Sequence, residues 1–89
     1  MGKRNKPEIM RDILQIIQDH KQIRPTPLLR QSNISSSRFK NYFSEMIDKK
    51  FVKKTRGNKN EKLIVLTNKG NKFLEKYQAI VYFIEEFEL

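Results

Sequence analysis

The sequence predicts a mainly α chain with one small β-hairpin, in the order helix, short helix, helix, hairpin, helix. Three observations predict it. Apolar residues recur every three or four positions over residues 8–20, 35–49 and 67–89. The period changes to strand-like runs only at Phe51–Arg56 and Lys62–Leu66. Pro, Gly, Asn and Ser collect at the joints between these segments.

The first helix covers 8–20. Pro7 stands at its start, where a missing N–H costs nothing. Ile9, Ile13, Ile16 and Ile17 form an apolar stripe that Met10 and Leu14 widen, while Arg11, Asp12, Gln15, Gln18 and Asp19 take the other side. The helix fades by His20-Lys21, and Gln22-Ile23-Arg24 reads as a short extended link. Arg24-Pro25-Thr26-Pro27 is then a stop followed by a start, with Thr26 as N-cap, Pro27 in the first helical position, and Leu28 and Leu29 as the apolar patch of a short second helix. Ser32-Asn33-Ile34-Ser35 is turn chemistry and ends it.

The third helix runs from Ser35 or Ser36, one of which caps it, to Lys49. At about 100° per residue, Phe39, Tyr42, Phe43, Met46 and Ile47 occupy one arc. Ser37, Asn41, Ser44 and Asp48 lie opposite, flanked by Arg38 and Lys40. Gly57-Asn58-Lys59-Asn60-Glu61 has the residues of a hairpin loop between the two strands. Thr67 caps a last helix that runs nearly to Leu89. Gly70 in its first turn costs about 1 kcal/mol against Ala, a cost that packing tolerates if a small residue is needed there.

Charge points to the partner. The chain carries 19 Lys and Arg against 10 Asp and Glu, a net +9, and a surplus that large favours a polyanion, nucleic acid first. It is unevenly placed. Residues 1–74 hold 18 Lys and Arg against 6 Asp and Glu, a balance of +12, and residues 75–89 hold one Lys against four Glu, a balance of −3. One end can sit on a polyanion and the other is repelled from it.

The same composition excludes several classes. There is no Cys, hence no disulfide framework, thiolate metal site or Cys nucleophile. His20 is the only histidine, so neither a metal ligand set nor a Ser-His-Asp grouping can be assembled, and no Gly-rich phosphate loop is present. An enzyme is not expected, nor a cofactor, a metal or an evident small-molecule effector. No apolar run approaches the roughly 18 residues of a membrane span, and the basic amino end leads into no signal core. The expected location is cytoplasmic and nucleoid-associated.

Two short helices joined by a four-residue turn, followed by a hairpin rich in Lys and Arg, make a winged helix-turn-helix. The third helix fits the major groove of B-DNA, with its N-terminal part at the base edges. The hairpin, or wing, puts cations over phosphates. The reading candidates are Ser36, Ser37, Arg38, Lys40, Asn41 and Ser44. Asn41 suits adenine N6/N7, Arg38 suits guanine O6/N7 or a phosphate, and the small serines let the backbone approach closely. The wing candidates are Lys53, Lys54, Arg56, Lys59 and Lys62. Lys3, Arg4 and Lys6 are either a mobile arm on phosphates or a solvated terminus.

Asn33-Ile34-Ser35 through Phe39, Tyr42-Phe43, Met46 through Val52, and then Leu66-Thr67-Asn68-Lys69-Gly70 with Phe73-Leu74, resemble archaeal winged helix-turn-helix DNA-binding proteins. The resemblance is nearest to the small Sulfolobus chromatin-type proteins, and it covers nearly the whole chain from Ile9. It implies a winged helix followed by a dimerising antiparallel coiled coil. The sequence departs from that family in a short final helix, and at Lys50, where the family usually closes the recognition helix with Gly. A Lys at positive φ there implies strain.

In the last helix Phe73, Tyr77, Ile80, Ile84 and Phe87 are spaced 4, 3, 4, 3, a heptad seam broadened by Leu74, Val81 and Phe83. The excess apolar surface toward its end calls for a partner helix, most simply a second copy, with Tyr77, Ile80, Val81, Ile84 and Phe87 at the interface. The competing reading folds this helix back onto Ile9, Ile13 and Ile17, and both hold if Phe73 and Leu74 belong to the core. The expected organisation is a basic tail (1–7), a winged helix-turn-helix DNA-binding domain (8–70) and a dimerisation helix (71–89). The expected function is a homodimeric protein on double-stranded DNA, either a transcriptional regulator or a chromatin-type architectural protein. The alternative is a protein-interaction winged helix within a larger transcription or replication assembly. RNA binding ranks below both, since the aromatics are committed to the core.

Overall fold

A computed structural model of the chain describes residues 4–88. Its elements are α1 (Lys6–His20), α2 (Pro25–Ser32), α3 (Ser36–Asp48), β1 (Val52–Arg56), β2 (Lys62–Leu66) and α4 (Asn68–Glu86). The order is the expected one: four helices and a single antiparallel hairpin.

α1 starts at Lys6, two residues before the predicted position, because Asn5 and Glu8 form a capping box. Asn5 Oδ1 accepts from the Glu8 N–H at 2.9 Å, and Glu8 Oε1 accepts from the Asn5 N–H at 3.0 Å. Pro7 falls within the first turn, as it should. Ile9, Met10, Ile13, Leu14 and Ile17 are all buried, and Ile16 packs half-buried beside them. α1 is the central rod of the core, touching α2, α4 and β2. Each fully buried Ile or Leu contributes roughly 1.5–3 kcal/mol relative to exposure.

α2 also begins early. Its N-cap is Arg24 rather than Thr26, and Pro25 takes the first helical position. The first helical bond runs from the Leu28 N–H to the Arg24 carbonyl at 3.2 Å. Pro27 then lies in the first turn, where its missing N–H would have had no partner in any case. Asn33 closes the helix in the left-handed region at φ 60°, ψ 37°. The link before α2 does more than connect. Ile23 pairs with Ile64 through two backbone bonds of 3.1 and 2.8 Å, which adds a one-residue third strand to the hairpin.

Ser35 caps α3, accepting from the Arg38 N–H at 3.3 Å. Phe39 and Met46 are buried and Tyr42, Phe43 and Ile47 pack half-buried around them. The far end is a Schellman closure: the Phe51 N–H bonds the Met46 carbonyl at 2.9 Å and the Lys50 N–H bonds that of Ile47 at 3.0 Å. Lys50 takes φ 63°, so a lysine occupies the left-handed position implied by the family resemblance, where Gly is usual. Phe51 is buried next to it, and strand pairing starts one residue later than predicted, at Val52↔Leu66, ending at Arg56↔Lys62.

Thr67 caps α4 as expected. Its hydroxyl donates to the Lys50 carbonyl and accepts from the Gly70 N–H at 3.1 Å, while its own N–H bonds the Phe51 carbonyl at 3.0 Å. Gly70 is buried there. A Cβ on it would stand 2.2 Å from the Phe51 carbonyl oxygen, so only glycine lets α4 lie this close to the α3–β1 corner. Leu74 enters the core and Phe73 packs on Phe51, ring centroids 5.1 Å apart. Beyond Ala79 the helix leaves the body: Ile80, Tyr82, Phe83 and Phe87 are all more than half exposed. The radius of gyration, 13.9 Å, reflects this projection. A compact chain of this length would have about 12 Å. The regional limits read from sequence at 7/8 and 70/71 fall inside α1 and α4, so the regions share continuous helices.

Candidate nucleic-acid interface

The helix-turn-helix geometry places α3 with its polar side outward. Ser36, Ser37, Arg38, Lys40, Asn41 and Ser44 are all exposed. Ser37 Oγ lies 3.4 Å from Ser35 Oγ, and the Arg38 guanidinium stacks over the Tyr42 ring at 5.9 Å, which gives that side chain a preferred direction. The side chains of Lys40, Asn41 and Ser44 make no hydrogen bond among the described residues. They are held out by the backbone alone, which is the state a groove-reading side chain needs.

Lys53, Lys54, Arg56, Lys59 and Lys62 are likewise exposed on the hairpin. The register sets Arg56 directly across from Lys62, two like charges on one rung. Such a pair is destabilising in the free protein by roughly 0.2–1 kcal/mol. Part of the Arg56 guanidinium is engaged, since its Nη1 donates to the Asn60 carbonyl at 3.1 Å across the loop. The single acid of the loop, Glu61, is turned inward to accept from the Lys59 N–H at 2.9 Å. None of the cations of α3 or the hairpin forms an ion pair among the described residues.

Between the two elements runs a groove of about 440 Å³, which sequence reasoning had missed. Phe39, Phe43, Leu63 and Ile64 form its floor, and Lys54, Arg56 and Lys62 stand on its rim. The signal was present in the two phenylalanines four residues apart, stacked with centroids 5.6 Å apart, but not in which strand would face them. The groove follows the aromatic side of α3, and none of Ser36, Ser37, Arg38, Lys40, Asn41 or Ser44 lines it.

The amino-terminal cations are not free. Arg4 donates to Asp12 Oδ2 at 2.7 Å and to the Ser32 carbonyl at 3.2 Å, and Lys6 pairs with Glu45 at 2.6 Å. The third arm candidate, Lys3, lies outside the described residues. His20 is exposed and its Nε2 is 3.1 Å from Gln31 Oε1, a link between α1 and α2. Among the described residues no group of three His, Cys, Asp or Glu comes together as a metal site, and no helix is long and apolar enough to cross a membrane.

The proposed interface residues of α4 divide. Ile80, Ile84 and Phe87 are exposed, whereas Tyr77 and Val81 are half-buried. Tyr77 lies under the Arg11 guanidinium at 5.5 Å and beside Phe73. Phe73, Tyr77, Ile80, Val81 and Ile84 line a shallow, mostly apolar groove with Pro7 of α1.

Residues 3–85 match the winged helix-turn-helix family. The chain belongs to that family. Its hairpin is the wing and α3 the second helix of the helix-turn-helix. This fold is of the DNA-binding and transcription-regulator type, whose families are non-enzymatic. Over 78 residues the chain is 31% identical to an uncharacterized protein of Methanocaldococcus jannaschii. The match takes in 88% of the chain but spans only about a third (34%) of that relative. Among solved structures, Sso10a-2, a DNA-binding protein from Sulfolobus solfataricus, is similar at a TM-score of 0.74 and 19% identity, over 96% of this chain and 86% of that one. A MarR family transcriptional regulator from Silicibacter pomeroyi is similar at 0.75 and 14%, over 86% of this winged helix and 52% of the regulator.

Proposed function

We propose that the protein binds double-stranded DNA as a homodimer, with the N-terminal half of α3 in the major groove and the wing over the flanking phosphates. One observation carries this reading. Among the described residues, α3 presents Arg38 and Lys40 and the wing presents Lys53, Lys54, Arg56, Lys59 and Lys62, all exposed and without an acidic partner, and the side chains of Asn41 and Ser44 make no bond. Cations left unpaired in a protein that pairs Arg4, Lys6 and Arg11 elsewhere are available to phosphates. That the similar Sulfolobus protein is a DNA-binding protein agrees with this assignment.

Residues 8–70 then act as the DNA-binding region and 71–89 as the dimerisation region. Ile80, Phe83, Ile84 and Phe87 are between 41% and 59% exposed, an apolar band too large for a lone helix end in water. A second copy covering it places two reading heads on one duplex, which raises avidity by roughly 10²–10⁴. Glu85, Glu86 and Glu88 keep that end away from phosphates. With Arg38 and Asn41 as the strongest base readers, the architectural role is favoured over the single-gene regulator.

A salt-titrated binding assay comparing random with selected duplexes tests the assignment. Four wing cations on phosphates give log K against log salt a slope of about −3.6. A preference below about tenfold marks an architectural protein, and about 10³ or more a regulator. No retention on duplex at physiological salt refutes the DNA reading in favour of a protein-interaction module.

A further inference from the structure

The geometry points to Arg4 as a positioning residue for DNA binding, a latch that fixes the helix-turn-helix turn from outside the DNA surface. This rests on the DNA reading above and assigns a role to a side chain that charge alone would have placed on phosphates.

Arg4 precedes α1, yet its guanidinium reaches 28 residues along the chain. One arm, Nη1, donates to Asp12 Oδ2 at 2.7 Å; the other, Nη2, donates to the Ser32 carbonyl at 3.2 Å. Ser32 is the last residue of α2 and is buried, with its hydroxyl donating back to the Leu29 carbonyl at 2.7 Å. Its carbonyl is one of those that a helix end leaves without an internal partner. Arg4 supplies that partner and adds a positive charge at the negative end of the α2 dipole.

Ser32 stands at the entrance to the reading helix. Asn33 turns the chain through the left-handed region and Ser35 opens α3, so the bond to Ser32 lies three residues before the N-cap of that helix. The side chain that anchors Arg4 is itself held. Asp12 Oδ1 takes Arg11 Nη2 at 3.1 Å, and Arg11 lies over Tyr77 of α4. Two oxygens of one carboxylate thus tie the turn to the two long helices of the core. Arg4 and Asp12 are only about a third and a quarter exposed, so the fork is partly shielded from water and salt.

A two-armed planar fork is what the site uses, and a lysine has no equivalent. The apparent affinity for DNA scales with the fraction of molecules whose turn is in the binding geometry. Loosening it therefore weakens binding to every sequence without removing a phosphate contact.

The test uses the full chain carrying Arg4→Gln, Arg4→Lys or Asp12→Asn, with the double variant Arg4→Gln/Asp12→Asn. DNA affinity is followed against salt by fluorescence anisotropy, and hydrogen exchange at Arg38 and Phe39, whose N–H groups bond Ser35, is followed without DNA. Asp12→Asn is the decisive arm. It removes a negative charge, so general electrostatics predicts tighter DNA binding, whereas loss of the latch predicts binding weaker by roughly fivefold. Arg4→Gln weakens binding with the salt slope unchanged, Arg4→Lys does not restore it, and the double variant is no worse than Arg4→Gln. Exchange at Arg38 and Phe39 speeds up in all of them. Tighter binding by Asp12→Asn, a slope flattened by about 0.9 in Arg4→Gln as for a phosphate contact, or unchanged exchange at Arg38 and Phe39 overturns the latch. A wild-type chain that ignores duplex at low salt overturns the DNA reading instead, and the exchange rates then decide the latch by themselves.

Discussion

Replacing Gly70 by Ala sets two effects of opposite sign against each other. Helix propensity alone makes Ala the better residue by about 1 kcal/mol. Packing says otherwise. The new methyl carbon would lie 2.2 Å from the Phe51 carbonyl oxygen, 3.1 Å from its carbon and 3.3 Å from Leu66 Cδ2. Carbon–oxygen contacts close at about 3.3 Å, so α4 has to lift by about 1 Å. The obstacle is backbone, already fixed by the Schellman bond of the Phe51 N–H and by the Thr67 N–H on that same carbonyl. Overpacking of this kind costs about 3 kcal/mol at the upper end of its range. Setting the propensity gain against it leaves a net loss of about 2 kcal/mol. For a domain of this size that lowers the melting temperature by roughly 10 °C. Circular dichroism during thermal and urea unfolding measures it, with the exposed Lys72→Ala as control, expected within about 0.5 kcal/mol of wild type. A Gly70→Ala protein as stable as wild type, or more so, refutes the close-approach argument.

The turn after α3, the wing and the end of α4 each invite a substitution of their own. Lys50→Gly relieves a left-handed residue at φ 63° and is expected to stabilise the fold by about 0.5–1 kcal/mol in denaturant unfolding; destabilisation would show that the lysine side chain contributes a contact of its own. Lys54→Ala is expected to weaken binding alike for all duplexes and to flatten the salt slope by about 0.9, whereas Asn41→Ala relaxes preference at one base pair, and a titration in which both variants behave as wild type would remove the docking. Ile80→Glu with Ile84→Glu is expected to give monomers by light scattering on a sizing column with the domain still folded, since both side chains are exposed in the single chain; an unchanged dimer would exclude α4 as the pairing element.

Periodicity carried most of the fold because the core is built on it: the stripe of α1, the aromatic arc of α3 and the change of period at Phe51 each answer to a buried surface. Starts were harder. The Asn5-to-Glu8 spacing of a capping box is legible in the sequence, but Pro7 suits the residue before the helix as well as its first turn, so local chemistry leaves the start open by two residues. Two prolines two residues apart left two possible openings for α2, and either satisfies local chemistry. Where the chain meets itself at a distance, local pattern carries no sign of it. Nothing near Ile23 marks it as a partner of Ile64, and nothing near Arg4 marks Ser32. The outward residues of α3 were legible as the side opposite the aromatic arc. The groove beneath the wing was not, because it depends on how a strand faces a helix.

The rung that sets Arg56 against Lys62 has an effect on the empty protein as well as on a complex. Counterions that crowd around the hairpin relieve its internal repulsion, and the same counterions compete for whatever anion it grips. Raising ionic strength should therefore tighten the unliganded hairpin while loosening its hold on a duplex, so that one solution variable drives the two forms in opposite directions.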